Sequence, residues 1–218
     1  MEPKSCAIIG ASGLIGKEIL KQVVLNPLYS EIRIITRRPL GTTDPKIKEI
    51  IIDFENLSQL KSSLEGVTDV FCVVGTTQKK VNGDKYLYRK VDYNIPVDAA
   101  QISVENGVQY FAVVSSVGAS LKSSNFYLKL KGEMEHEVSR FSIPQIGIFR
   151  PSMLLGKRDE FRFAEKISSY IFPVISFLFP IKYRPIQAKH VAKAMIQYAN
   201  QSKGVHILHY KEMGQLLR

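Results

Sequence analysis

The sequence predicts an α/β protein built on a doubly wound parallel sheet, and three observations predict it. Short runs rich in β-branched residues alternate with helical patterns along the first two-thirds of the chain. Those apolar runs are continuous, the pattern of strands buried on both faces, instead of alternating with polar residues. The first of them leads directly into a glycine-rich turn, "GASGLIG", that opens a helical pattern.

Taken in order, "CAIIG" (6–10) reads as a strand and "GLIGKEILKQVVL" (13–25) as a helix with apolar residues three to four apart. Strands follow at "EIRIITRR" (31–38) and "IKEIIID" (47–53), then a short helix, "LSQLKSSLEG" (57–66), ending at a glycine. "DVFCVVG" (69–75) is a strand, "TTQKKVNGDK" a loop, and "YRKVDYNIPVDAAQISVENG" (88–107) a long helix. A strand at "VQYFAVVSS" (108–116), a helix at "NFYLKLKGEMEHEVSRF" (125–141) and a strand at "PQIGIFRP" (144–151) complete the alternating region. The pattern then loosens and resumes with a helix over 188–201 and a last strand, "GVHILHY" (204–210). The expectation is one domain over 1–218, with residues 152–187 forming an insertion that shapes a small substrate pocket at the strand ends.

Composition narrows the partners. Hydrophobic residues make up 45% and charged residues 23%, an ordinary balance for a globular chain of 218 residues. The net charge of +10 raises nucleic acid and anionic membranes as partners, but the basic residues are spread along the chain without interleaved aromatics. Affinity for a phosphate-bearing ligand is the better reading, and no nucleic-acid partner is expected. The start, "MEPKSCAIIG", lacks a cationic segment followed by a long apolar run, so no secretory signal is expected. Cys6 and Cys72 lie inside apolar strands and read as reduced thiols of a cytoplasmic protein. The apolar run Ile167–Ile181 is interrupted by Pro173 and Pro180, which argues for core or a pocket wall over an integral membrane span. An apolar small-molecule substrate is expected on that account.

Chemistry concentrates at the strand ends. In "GASGLIG", Gly10 would turn the chain sharply out of the strand, and Gly13 would leave room for a pyrophosphate at the helix N-terminus. Gly16 would permit close helix–strand packing, and Ser12 could add a hydroxyl to the phosphates. The loop stands after a strand and before a helix, as a dinucleotide-binding turn requires. The second strand ends in Thr36, Arg37 and Arg38, where an NAD site usually carries a carboxylate. Arginine there can pair with a 2′-phosphate, so NADP(H) is expected over NAD. Asp53 is placed to hydrogen-bond the adenine amine, or else to close a turn, and Val73–Thr77 should stand where cofactor and substrate meet.

With "GASGLIG", "TRR", "DF", "GTT", "VVSSVGA" and "YLKLK" in this order, the chain resembles the atypical short-chain dehydrogenase/reductases. Within them it is similar to the branch of the Tat-interacting oxidoreductase-like protein, among NmrA-like relatives. The resemblance implies a Rossmann-type sheet, NADP(H) and a Tyr-x-x-x-Lys active site at Tyr127 and Lys131. It also implies cofactor contacts from Gly10, Ser12, Gly13, Leu14 and Ile15, from Arg37 and Arg38, from Val74 and Gly75, and from Leu154 and Arg162. Homodimers are a further expectation of the family.

The residue types suit that chemistry. Positions i and i+4 share a helix face, so Tyr127 and Lys131 point the same way. Lys131 would hold the nicotinamide ribose, and its charge would ease ionisation of the tyrosine. Tyr127 would then exchange a proton with the substrate oxygen during hydride transfer. A serine at the end of the preceding strand would hold the same oxygen; one strand can turn only one of Ser115 and Ser116 inward, and Ser116, nearer the carboxyl end, is preferred. Asn94 in "VDYNIP" is either a site residue or a helix-surface residue. His206 and His209 are three apart on a strand and should face opposite sides, which argues against a metal site. An NADP(H)-dependent oxidoreductase is the leading function, and a catalytically weak NADP(H)-sensing binding protein is the alternative.

Overall fold

The computed structural model describes residues 3–155 and 180–217. Arg162 and most of the Ile167–Ile181 run, and with them most of the 152–187 insertion, lie outside the described residues.

Seven strands form one parallel sheet: β1 (Lys4–Ile9), β2 (Tyr29–Thr36), β3 (Ile47–Ile51), β4 (Asp69–Cys72), β5 (Tyr110–Val114), β6 (Gln145–Phe149) and β9 (Gly204–Leu208). Side by side they run in the order β3-β2-β1-β4-β5-β6-β9. The chain runs outward from β1 to β3 and then crosses back to lay β4 on the other side of β1. That reversal of strand order opens a crevice at the carboxyl ends of β1 and β4, where open α/β sheets bind ligands.

Helices cover both faces, which is why the strands read as continuous apolar runs. Successive residues of β1 enter different cores: Cys6 and Ile8 pack under α1 (Leu14–Val24) and α6 (Ala188–Tyr198), with Ile19 and Met195. Ala7 and Ile9 pack on the opposite side, with Leu60 of α2 (Leu57–Leu64), Ala99 of α4 (Ile95–Glu105) and Met134 of α5 (Phe126–Val138). Each fully buried isoleucine of these layers contributes about 1.5–3 kcal/mol by leaving water. Helix starts follow side-chain caps: Asn56 accepts from the Gln59 N–H, and Asn125 from the Leu128 N–H.

Three departures from expectation matter. The long helix expected over 88–107 is broken into α3 (Lys85–Arg89), a π turn (Lys90–Asn94) and α4. Pro96, in the first turn of α4, has no N–H to donate, and the Ile95 N–H reaches back five residues to the Lys90 carbonyl. A two-stranded sheet joins β7 (Leu154–Leu155) to β8 (Ile186–Gln187), bringing the two ends of the insertion together. After β9 a short helix, α7 (Tyr210–Gln215), closes the fold with the Glu212 carboxylate accepting the His209 N–H.

Both cysteines are buried, Cys6 in one core and Cys72 in the other, so the sheet separates them. Burial pushes the Cys72 thiol up to about 12, and the Cys6 thiol is raised by the same cause. Native protein is therefore expected to leave both thiols unmodified by a disulfide reagent at pH 8, and to react at both once unfolded in guanidinium. Rapid reaction of either thiol in the native state would contradict this burial.

Candidate active site

The crevice predicted by the sheet topology is present as a cleft of about 360 Å³. One wall is the turn from β1 into α1. Gly10 takes φ +98°, and a Cβ at Gly16 would stand 2.2 Å from the Gly10 carbonyl oxygen, so only glycine lets the helix begin this close to the strand. Gly13 caps α1 with no side-chain hydrogen bond, which leaves the first-turn N–H groups to whatever enters the cleft. Ser12, Gly13, Leu14 and Ile15 border the cleft directly, whereas Gly10 and Gly16 shape the turn from behind.

The opposite wall comes from the ends of β4 and β5 and from α5. Val74 and Gly75 line it beyond β4, Ser115 and Ser116 beyond β5, and Tyr127 and Lys131 from α5; Leu154 borders it from β7. The glycine loop and the Tyr–Lys pair thus face one space. The half-buried Tyr127 ring packs edge-on against Tyr88, with centroids 6.2 Å apart. Lys131 is buried, with Nζ 3.0 Å from Asp92 Oδ1 and donating to the Val114 carbonyl at 3.3 Å. Burial is the strongest single influence and opposes its charge, but the Asp92 carboxylate together with the neighbouring Tyr127 and Cys72 holds the ammonium above its ordinary range.

The serines depart from expectation. Strand β5 ends at Val114, so Ser115 and Ser116 lie in the following loop, where strand alternation no longer forces them apart, and both border the cleft. Ser115 is buried with no hydrogen-bond partner for its hydroxyl, whereas Ser116 Oγ donates to the Val117 carbonyl at 3.3 Å.

Arg37, Arg38 and Asp53 stand outside this lining. The two arginines are exposed at the end of β2, on a turn in which Thr36 Oγ1 donates to the Arg38 carbonyl at 3.0 Å. Glu49 of β3 braces the residues that follow, accepting from the Leu40 N–H at 2.9 Å and from the Thr42 N–H and hydroxyl, each at 2.6 Å. Those hydrogen bonds, the Thr42 hydroxyl first, hold the Glu49 carboxyl down to about 2. Asp53 uses one carboxylate oxygen to accept the Glu55 N–H at 3.0 Å, so the turn-closing role is real.

Comparison with known proteins gives the family and the fold. A family model described as NAD(P)H-binding matches residues 10–162. The chain belongs to the NAD(P)H-binding family. Protein HTATIP2 of Rattus norvegicus is 33% identical over 175 residues, 79% of this chain and 72% of that protein. The mitochondrial protein FMP52 of Debaryomyces hansenii is 30% identical over 203 residues, 90% of this chain and 88% of that one. Among solved structures, Pen from Bacillus thuringiensis superposes with a TM-score of 0.72 at 18% identity, covering 94% of this chain and 68% of that one. A UDP-N-acetylglucosamine 4-epimerase from Methanobrevibacter ruminantium M1 gives 0.72 at 17%, covering 96% and 77%. The Rossmann-type fold and the kinship with atypical short-chain dehydrogenase/reductases follow, and a nicotinamide cofactor is the family's common ligand.

The NAD(P)H-binding chain also holds site residues that sequence reasoning missed. Asp92, not Asn94, is the helix residue that reaches the cleft; Asn94 is exposed. The signal was indirect: a lysine on the buried face of α5 needs a counter-charge, and "VDYNIP" carries the only carboxylate of its helix turn. One turn beyond Lys131, the buried Glu135 receives a bidentate hydrogen bond from Arg150 of "FRP", with Nε at 2.8 Å. One fully buried ion pair and one partly buried one therefore seat the inner face of α5. Among the described residues no helix is long and apolar enough to cross a membrane.

Proposed function

We propose that this chain is an NADP(H)-dependent oxidoreductase that interconverts a small, apolar carbonyl compound and its alcohol. One observation carries the reading: the glycine turn at the N-terminus of α1 and the Tyr127–Lys131 pair face the same cleft. NADP(H), when bound, supplies or accepts the hydride. The α1 amides of Leu14 and Ile15, with Gly13 and the Ser12 hydroxyl, take the pyrophosphate; the phosphate role of Arg162 rests on the family resemblance alone. Arg37 and Arg38 pair with the 2′-phosphate, Asp53 holds the adenine amine with its remaining oxygen, and Val74, Gly75 and Leu154 flank the nicotinamide end.

Lys131 donates to the nicotinamide ribose. Tyr127 would give its phenolic proton to the carbonyl oxygen in reduction and take one back from the alcohol in the reverse direction. A hydroxyl of the Ser115–Ser116 pair holds that oxygen, and Ser115 fits better because its donor is buried and unengaged. The apolar Ile167–Ile181 run supports an apolar substrate. The buried free thiols suit a reducing compartment, the cytoplasm or, as in the names of the fungal relatives, the mitochondrion.

Titration with NADPH and NADH tests the nucleotide. NADPH is expected to bind at least about tenfold more tightly, and the double variant Arg37→Ala/Arg38→Ala is expected to remove that preference by weakening NADPH alone. Tighter binding of NADH to the wild type would overturn the reading of the arginines.

A further inference from the structure

We propose that Asp92 is a positioning residue of the cleft, holding the Lys131 ammonium and the loop after β4 in one fixed arrangement for the nicotinamide-ribose half of a dinucleotide. The inference rests on the cofactor reading above and adds a residue to it. Lys131 and Asp92 are 3% and 2% exposed, an ion pair taken almost wholly out of water. Such a pair is a poor device for stability alone, because two well-packed apolar side chains of similar volume serve as well or better. Its place in the cleft wall points to a different use.

Both carboxylate oxygens of Asp92 are engaged. Oδ1 takes Lys131 Nζ at 3.0 Å, and Oδ2 accepts the Thr76 N–H at 2.8 Å. A single side chain thus ties the π turn to α5 and to the loop after β4. Gly75 of that loop also borders the carboxylate: a Cβ there would stand at ordinary contact distance, 3.7 Å, from Oδ1. The ammonium has three N–H donors, and Asp92 and the Val114 carbonyl take two of them. The third is left beside the cleft that Lys131 borders. With two directions fixed by the protein, the third is fixed by tetrahedral geometry, so the lysine presents a preset donor instead of a mobile one. The π turn contributes by setting Asp92 inward just before Pro96 restarts regular helix.

Calorimetric titration with two probes separates this role from a general structural one: NADPH, and 2′,5′-ADP, which lacks the nicotinamide half. Asp92→Asn is expected to weaken NADPH about tenfold, the loss of one charge-assisted hydrogen bond, and to leave 2′,5′-ADP within about twofold. Lys131→Met is expected to do the same, and the double variant to bind NADPH no more weakly than Lys131→Met alone. Asp92→Asn binding NADPH like the wild type, or losing both probes equally, would overturn the proposal. A wild type that binds neither probe overturns the cofactor reading and this inference together, whereas a wild type that binds both while Asp92→Asn matches it overturns only the inference. Should Asp92→Asn fail to fold, Asp92→Leu/Lys131→Met removes both charges at once. That variant is expected to fold, to keep 2′,5′-ADP and to bind NADPH like Lys131→Met; full NADPH affinity in it would count against the proposal.

Discussion

Tyr127→Phe is expected to lower kcat/KM for carbonyl reduction by about 10²–10⁴-fold, the usual worth of a positioned general acid. NADPH affinity should change by no more than a few-fold, because Lys131 and the α1 amides are untouched. The fold should survive, since phenylalanine keeps the edge-on packing against Tyr88. Steady-state assays on a panel of aldehydes, ketones and quinones, with NADPH titration alongside, provide the check. Turnover that persists unchanged in Tyr127→Phe would remove the tyrosine from the mechanism. If the wild type turns over none of the panel yet binds a protein partner in an NADPH-dependent way, the chain is a cofactor sensor and the oxidoreductase reading fails.

A large effect on stability is expected at Arg150. Arg150→Met leaves the buried Glu135 carboxylate without its bidentate partner. Removing one member of a buried pair costs about 3–5 kcal/mol, because the remaining charge stays desolvated and uncompensated. Glu135→Leu combined with Arg150→Met should recover most of that loss, since an apolar pair needs no compensation. Urea unfolding of the two single variants and the double variant measures both numbers. If the double variant is no more stable than Arg150→Met, the pair is not the source of the effect. The consequence extends to the cleft: Glu135 stands one turn from Lys131 on the same helix, so loosening it also loosens the seat of Tyr127 and Lys131.

These two expectations differ in how legible their basis is in the sequence. Tyr127 and Lys131 are readable because a helix converts a spacing of four into a shared face, whatever the helix packs against. Gly16 is readable for a similar reason, since its tight contact is with the backbone of its own turn at Gly10 and Ala11, whereas a Cβ on Gly10 would meet the distant backbone of Val73 and Val74. The broken helix around Lys90–Asn94 was partly readable, since Pro96 announces an interruption, but the change to π geometry rests on which carbonyl the Ile95 N–H finds. The choice between the serines was not legible, because strand alternation predicts that one of them turns inward whereas the loop beyond Val114 brings both to the cleft.

The sequence by itself determined the parallel sheet, the nucleotide turn and the tyrosine–lysine helix, because each depends on periodicity or turn chemistry within a short stretch. Only the tertiary structure decided that Asp92 pairs with Lys131, that Arg150 pairs with Glu135, and that both serines reach the cleft. Those contacts join different elements, and a buried charge chooses its partner by three-dimensional proximity and desolvation, quantities that no local pattern encodes.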